Sequence, residues 1–244
     1  VLSYGTIISY PMMFIPPMLY ASVNSRRNDM FETGYALDSN NFGHLGIAKM
    51  ALIVSGMTIA TAIAAEPISS LLPEAPEWFE QIMQGMTGGN FILSFITVSL
   101  FAPLFEEWLC RGVVLRGLLT KMRPAGAIVI SAAFFAILHM NPWQALPAFL
   151  LGVVFGYVYY RTGSLKMTML MHFVNNTMAL ILSRIPSLQE AETFADIMSP
   201  WAYVCVIAAC VVFLAAALIT VRAIPMSSEN APCNCDEVPS ISFE

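Results

Sequence analysis

Six ionisable or amide side chains stand in stretches otherwise too apolar to hold them: Glu106, Glu107, Arg111, His139, His172 and Asn176. An acid, two imidazoles and an amide are the parts of a hydrolytic centre, because they supply a base that takes a proton from water and N–H donors that hold an oxyanion. Spacing separates their roles. Glu107 and Arg111 are i,i+4 neighbours on a helix, so Arg111 is expected to neutralise Glu107 as a supporting pair. Glu106 is rotated about 100° from Glu107 and faces elsewhere. Pro103 lies three residues before Glu106 and cannot donate to the carbonyl of Ser99, which predicts a kink or a widened turn there. Phe135 and His139 share a helix face, and so do His172 and Asn176; Asn175 is one position off and is expected to pack or to bond to backbone. Cys110 is i,i+4 from Glu106, and an intrahelical neighbour has poor geometry for nucleophilic attack.

The elements that carry these residues are membrane helices. The chain has 244 residues, of which 57% are hydrophobic and 11% charged. Its mean hydropathy is +0.69. A soluble domain carries about 25% charged residues, so too few remain here to coat a soluble surface. A net charge of -5 without a basic cluster excludes nucleic acid and polybasic lipid binding. Apolar stretches near 1–23, 44–65, 91–116, 125–140, 143–161, 165–184 and 200–222 each approach the ~20 residues of a spanning helix. Pro124, Pro142 and Pro200 suit first helical positions, with Asn141 and Ser199 as N-caps and Gly163 as a C-cap. The expected fold is all-α: a polytopic bundle of about seven to eight transmembrane helices. It forms a single domain over 1–224, with a motif core of about 101–177. Residues 225–244 form a polar tail, expected to be disordered and cytoplasmic.

Laid down alternately, the spans put Arg26, Arg27, Lys49, Arg116, Lys121, Arg123, Arg161, Lys166 and Arg222 on one side, nine of the eleven basic residues. The positive-inside rule makes that side cytoplasmic. The opposite loops carry Glu66, Glu74, Glu77, Glu80, Glu190, Glu192 and Asp196. Trp78, Phe79, Ile82, Met83 and Met86 recur at helical spacing, as an amphipathic helix in the outer interface or a loop folded back onto the bundle. Cys110, Cys205 and Cys210 read as small buried side chains, and Cys233 and Cys235 as a C-x-C in the tail. The chain opens at Val1 within apolar sequence, without an initiator Met or a basic n-region, and a preceding segment is expected.

Each polar residue has a plain structural reading: a histidine or asparagine as an interhelical hydrogen-bond partner, the Glu–Arg pair as a neutralised charge. The combination favours chemistry. A charge at the bilayer centre costs roughly 2.5–3.5 kcal/mol on insertion scales, so such residues persist where they are paired, face a cavity or act.

The same residues carry a family resemblance. E-E-W-L-C-R at 106–111 fits E-E-x-x-x-R, F-A-I-L-H at 135–139 fits F-x-x-x-H, and H-F-V-N-N at 172–176 fits H-x-x-x-N. All three in this order resemble the CPBP family, which includes the CAAX prenyl endopeptidases and the bacteriocin-processing or Abi proteins. Leu151 to Ser164, with Gly152, Gly156 and the Y-R-T-G-S turn, is similar to the same family. The resemblance implies about eight membrane helices and a glutamate-dependent endopeptidase. Glu106 with His139 would activate water, His172 with Asn176 would hold the oxyanion, and Glu107, Arg111 and Phe135 would support them. It also implies a bacterial origin, and so the inner membrane.

Two alternatives stay open. Glu106, His139 and His172 are also a two-histidine, one-carboxylate set for zinc, although no H-E-x-x-H helix is present; no cofactor is otherwise expected. A transporter or immunity protein would use the same groups as a proton relay or a polar core. The partners expected are a peptide or protein substrate at the membrane and the lipid bilayer.

Overall fold

Each apolar stretch folds as a helix in the computed structural model, which describes residues 2–28, 37–185, 188 and 193–226. Eight helices follow in order among the described residues: α1 (Leu2–Asn28), α2 (Gly46–Ser69), α3 (Glu77–Thr87), α4 (Phe91–Leu119), α5 (Pro124–Ile137), α6 (Pro142–Thr162), α7 (Leu165–Leu182) and α8 (Pro200–Arg222). No strand occurs among them. The tail beyond residue 226, with Cys233 and Cys235, lies outside the described residues.

The punctuation of the sequence sets the ends. Asn141 accepts the N–H of Gln144 at 2.9 Å to cap α6, and Ser199 accepts that of Ala202 at 3.4 Å to cap α8. Prolines stand in the first turns of α5, α6 and α8, where a missing N–H costs nothing. Gly163 ends α6 with φ +66°, a left-handed conformation that glycine adopts without a Cβ clash.

An all-helical membrane bundle is therefore the fold observed, though its helices differ in how well each would cross alone. Gly43–Ser69, Phe91–Leu119, Pro142–Thr162 and Pro200–Arg222 are long and apolar enough to cross. The apolar part of α1, Ile7–Ala21, and the whole of α5 are shorter. At about 1.5 Å per residue, α5 falls short of the ~30 Å hydrocarbon core.

Contacts define two ends. At one, Ser39 N–H donates to the Gly163 carbonyl at 2.9 Å, and Asp38 binds Lys166 Nζ at 2.6 Å. Arg161 donates to the carbonyl of Arg222 at 2.6 Å, and Asn41 to that of Pro225 at 2.7 Å. At the other end, Glu66 accepts from Phe194 N–H at 2.6 Å, and Arg184 donates to the Gly89 carbonyl at 2.8 Å. The basic turns between α4 and α5 and between α6 and α7 share the first end, because Leu119, Ala127, Tyr159 and Leu165 form one apolar cluster. Among the described residues, the acidic end of α2 at Glu66 and the turn at Phe194–Asp196 share the second. This is the sorting expected from alternate spans.

The amphipathic segment is a helix and is also folded onto the bundle, so the two sequence readings merge. Trp78 and Phe79 of α3 pack their rings on Trp143 at the start of α6, at 6.0 and 5.3 Å between centroids. Trp143 Nε1 donates to the carbonyl of Pro73 at 2.8 Å.

The main core joins α2, α6, α7 and α8 through Met50, Val54, Met57, Phe155, Met171 and Val221. Helix α8 stands at the edge and turns Val204, Val211, Val212 and Ile219 outward, an apolar face that suits lipid. The expectation of buried cysteines holds for Cys110 and fails for Cys205, which is exposed on that outward face, while Cys210 is half-buried. Apolar sequence in a lipid-facing helix does not distinguish its inner from its outer side.

Gly152 and Gly156 serve packing within the bundle. A Cβ on Gly152 would stand 3.1 Å from both Cα and Cβ of Ala132 on α5 and 3.4 Å from Arg111 Nη2; one on Gly156 would meet Ile128 at 3.2 Å. Backbone cannot yield as a flexible side chain does. Gly152→Ala is expected to destabilise the folded bundle by about 1–3 kcal/mol, read as a lowered melting temperature in detergent.

Candidate active site

Helix α4 carries both glutamates, and its backbone is irregular on either side of them. It is π-helical over Phe95–Phe101 and again over Trp108–Leu115, with an α-helical stretch, Ala102–Glu107, between. The N–H of Ala102 bonds to the carbonyl of Thr97, five residues back. The widened turn expected from Pro103 is thus present, displaced toward the preceding residues. In this register the carbonyl of Val98 would take its hydrogen from residue 103, and proline has none. Asn176 of α7 fills that gap, its Nδ2 donating to the Val98 oxygen at 2.9 Å. Asn175 donates in turn to Asn176 Oδ1 at 3.1 Å. Of the two readings of Asn175, packing or a backbone bond, the backbone bond is made by Asn176, and Asn175 meets its neighbour's side chain.

Glu107 points into the bundle and is fully buried, as is Arg111. Their pairing is the one the spacing predicts, with Nη1 donating to Oε1 at 2.7 Å. Nη2 of Arg111 crosses to α6 and donates to the carbonyl of Gly152 at 2.9 Å. The guanidinium also lies over the rings of Phe135 and Phe155, at 4.8 and 5.4 Å, which replaces part of the hydration a cation loses on burial.

His172 sits between the two glutamates. Its Nδ1 is 3.1 Å from Glu107 Oε1 and its Nε2 is 4.0 Å from Glu106 Oε2. A carboxylate held by an arginine only accepts, so Nδ1 carries the hydrogen, and in the neutral ring Nε2 turns its lone pair toward Glu106. This orientation of an imidazole by a buried acid keeps one tautomer and leaves the other nitrogen for chemistry. Glu106 itself is less buried, with 13% of its side chain accessible.

His139 stands apart from that row. Helix α5 ends at Ile137 rather than near residue 140, and His139 lies in the following turn, just before Met140 at φ +53°. Its Nδ1 bonds to the carbonyl of Phe135 at 2.9 Å, and no hydrogen bond joins it to Glu106 among the described residues. Phe135 is the hub. Its ring meets both His139 and His172 edge-on, at 5.1 and 5.3 Å, while Arg111 covers it. Arg111, His139 and His172 thus meet one aromatic ring, Glu107 joins Arg111 to His172, Glu106 lies against His172, and Asn176 is held at the Val98 carbonyl.

Among the described residues, no three His, Cys, Asp or Glu side chains are placed to hold a metal ion. Nδ1 of each imidazole is held by a protein oxygen, which leaves Nε2 as the uncommitted nitrogen of each ring, and that of His172 faces Glu106.

One group in the site was not legible beforehand. Tyr10 of α1 donates its hydroxyl hydrogen to Glu106 Oε1. In an apolar stretch a tyrosine reads as an ordinary membrane aromatic. No spacing ties residue 10 to residue 106, and the contact depends on where α1 lies.

A bundle of apolar helices enclosing carboxylates and imidazoles defines an integral membrane protein with a polar centre inside it. Residues 88–178 match the family model described as Type II CAAX prenyl endopeptidase Rce1-like, a family of peptidases. That stretch contains all three motifs and the whole of the Glu107–Arg111–Gly152–His172 network. The resemblance carried by the motifs is thereby borne out: over 88–178 the chain is similar to a family of membrane peptidases of the CAAX-protease type. No curated protein and no solved structure matches it.

Proposed function

We propose that this chain is an intramembrane endopeptidase that hydrolyses a peptide bond of a membrane-associated peptide or protein, with Glu106 as the base that activates water. The observation that carries the proposal is the 4.0 Å approach of Glu106 Oε2 to Nε2 of His172, a ring held at its other nitrogen by Glu107. Two acceptors at that separation are too far apart for a direct bond. One water about 2.8 Å from each would give a hydrogen to both. As the water oxygen attacks the carbonyl carbon, Glu106 takes its proton, and the same proton passes to the leaving nitrogen when the C–N bond breaks.

The oxygen of the tetrahedral intermediate needs donors, each typically worth ~3–4 kcal/mol. Asn176 has a second amide hydrogen beyond the one given to Val98, and His139 would donate when protonated on Nε2. This reading exchanges the two imidazoles relative to the motif-based expectation, since His172 is the ring that faces Glu106. The orientation proposed is that of a bacterial inner membrane, with the basic end and the C-terminal tail in the cytoplasm, supported by the gathering of basic turns at one end.

The reaction is proposed to run without a metal. Purified protein in detergent is expected to cleave a membrane-spanning reporter peptide, with a new N-terminus found by mass spectrometry and a rate unchanged by a strong zinc chelator. Loss of cleavage in chelator, restored by zinc, would return the site to the metalloprotease alternative. Ion-coupled flux in vesicles with no new N-terminus would mark a transporter instead.

A further inference from the structure

The hydroxyl of Tyr10 reaches the base from a helix outside the family-matched stretch 88–178. Helix α1 contributes no motif, and the hydrolytic scheme above assigns it nothing. Yet the carboxylate of Glu106 has two oxygens with different partners, Oε1 toward Tyr10 and Oε2 toward His172. The terminal torsion of a glutamate is broad and roughly two-fold, so the side chain alone does not hold one oxygen on the imidazole. A donor on Oε1 does. The ring that carries this donor is fixed by stacking: Tyr10 on Phe14 at 5.5 Å, and Phe14 on Phe105, the residue before Glu106, at 5.3 Å. Phe14 and Phe105 are both buried.

We infer that Tyr10 is a positioning residue for hydrolysis: its phenol holds Glu106 Oε1, so that Oε2 stays on the water shared with His172. This rests on the proposal that Glu106 is the base. Helix α1 is then part of the working site rather than a membrane anchor alone.

Tyr10→Phe keeps the ring and its stacking and removes only the donor. Loss of a hydrogen bond to a charged group predicts a kcat lower by about ten- to a hundredfold, with KM and melting temperature unchanged. A role in packing alone would leave kcat where it is. Coupling gives a second readout. In a Glu106→Asp background the shorter carboxylate no longer meets the phenol, so adding Tyr10→Phe is expected to lower kcat no further. Full additivity of the two changes overturns the inference, because the hydroxyl would then act somewhere other than on Glu106. An unchanged or raised kcat in Tyr10→Phe, with cleavage lost in Glu106→Gln, also overturns it and leaves the hydrolytic reading standing. Wild-type cleavage by Glu106→Gln removes that reading itself, and the role of Tyr10 with it.

Discussion

Glu106→Gln is expected to lower kcat by a factor on the order of 10³ or more while the bundle melts at its usual temperature. A positioned general base typically contributes ~10²–10⁴ in rate, and here the same group also returns the proton to the leaving amine. Glutamine has the size of glutamate and cannot take a proton. Its carbonyl oxygen still accepts from Tyr10, and its neighbours Phe105 and Glu107 are untouched, so the substitution separates chemistry from folding. The check is the yield of cleaved reporter by mass spectrometry beside a melting curve in the same detergent. Cleavage at the wild-type rate would place the hydrolytic centre elsewhere in the molecule.

Arg111→Ala has the largest expected effect on stability. It removes the donor to Glu107, the donor to Gly152 and the cation over Phe135 and Phe155. It also leaves Glu107 as a fully buried charge without its counterion. Breaking a buried pair from one side costs about 3–5 kcal/mol, most of it from the charge left behind. The variant is expected to melt far below the wild type or to fail to fold in detergent. The double substitution Arg111→Met with Glu107→Gln should recover a good part of the loss, since no uncompensated charge remains. Arg111→Lys should recover little, because a point charge does not reach a carboxylate, a carbonyl and two rings at once. An Arg111→Ala protein with unchanged melting would show that the pair does not hold the bundle together. Activity separates further: even the stable double variant loses the carboxylate that orients His172, so it should fold and cleave poorly.

The site was legible in unequal parts. Glu107 with Arg111 could be read directly, because i,i+4 neighbours on a helix meet whatever surrounds them. Pro103 announced an irregular turn, because a missing N–H is a property of one residue. The candidates themselves stood out because ionisable groups are costly in apolar helices. The partners across helices are less legible in the sequence. Which glutamate meets which imidazole depends on how α4 is rotated, and its two π-helical stretches change that rotation on both sides of Glu106. Asn176 is engaged by the Val98 carbonyl, whose lack of a partner exists only once the widened register has formed. The apolar stretch 125–140 places His139 in the last turn of a span, but α5 stops at Ile137, short of the length its apolar composition suggests.

Hydropathy, proline and glycine positions and the i,i+4 rule are local properties, and they sufficed for the membrane class, the helices, most of their caps and the polar residues worth watching. The pairings of Glu106 with His172 and Tyr10, of Arg111 with Gly152, and of Asn176 with Val98 join residues far apart in the chain. They follow from helix depth, rotation and closeness of approach, which are set by small residues at the α5–α6 contact and by backbone irregularity in α4. Those quantities arise only when the helices pack together.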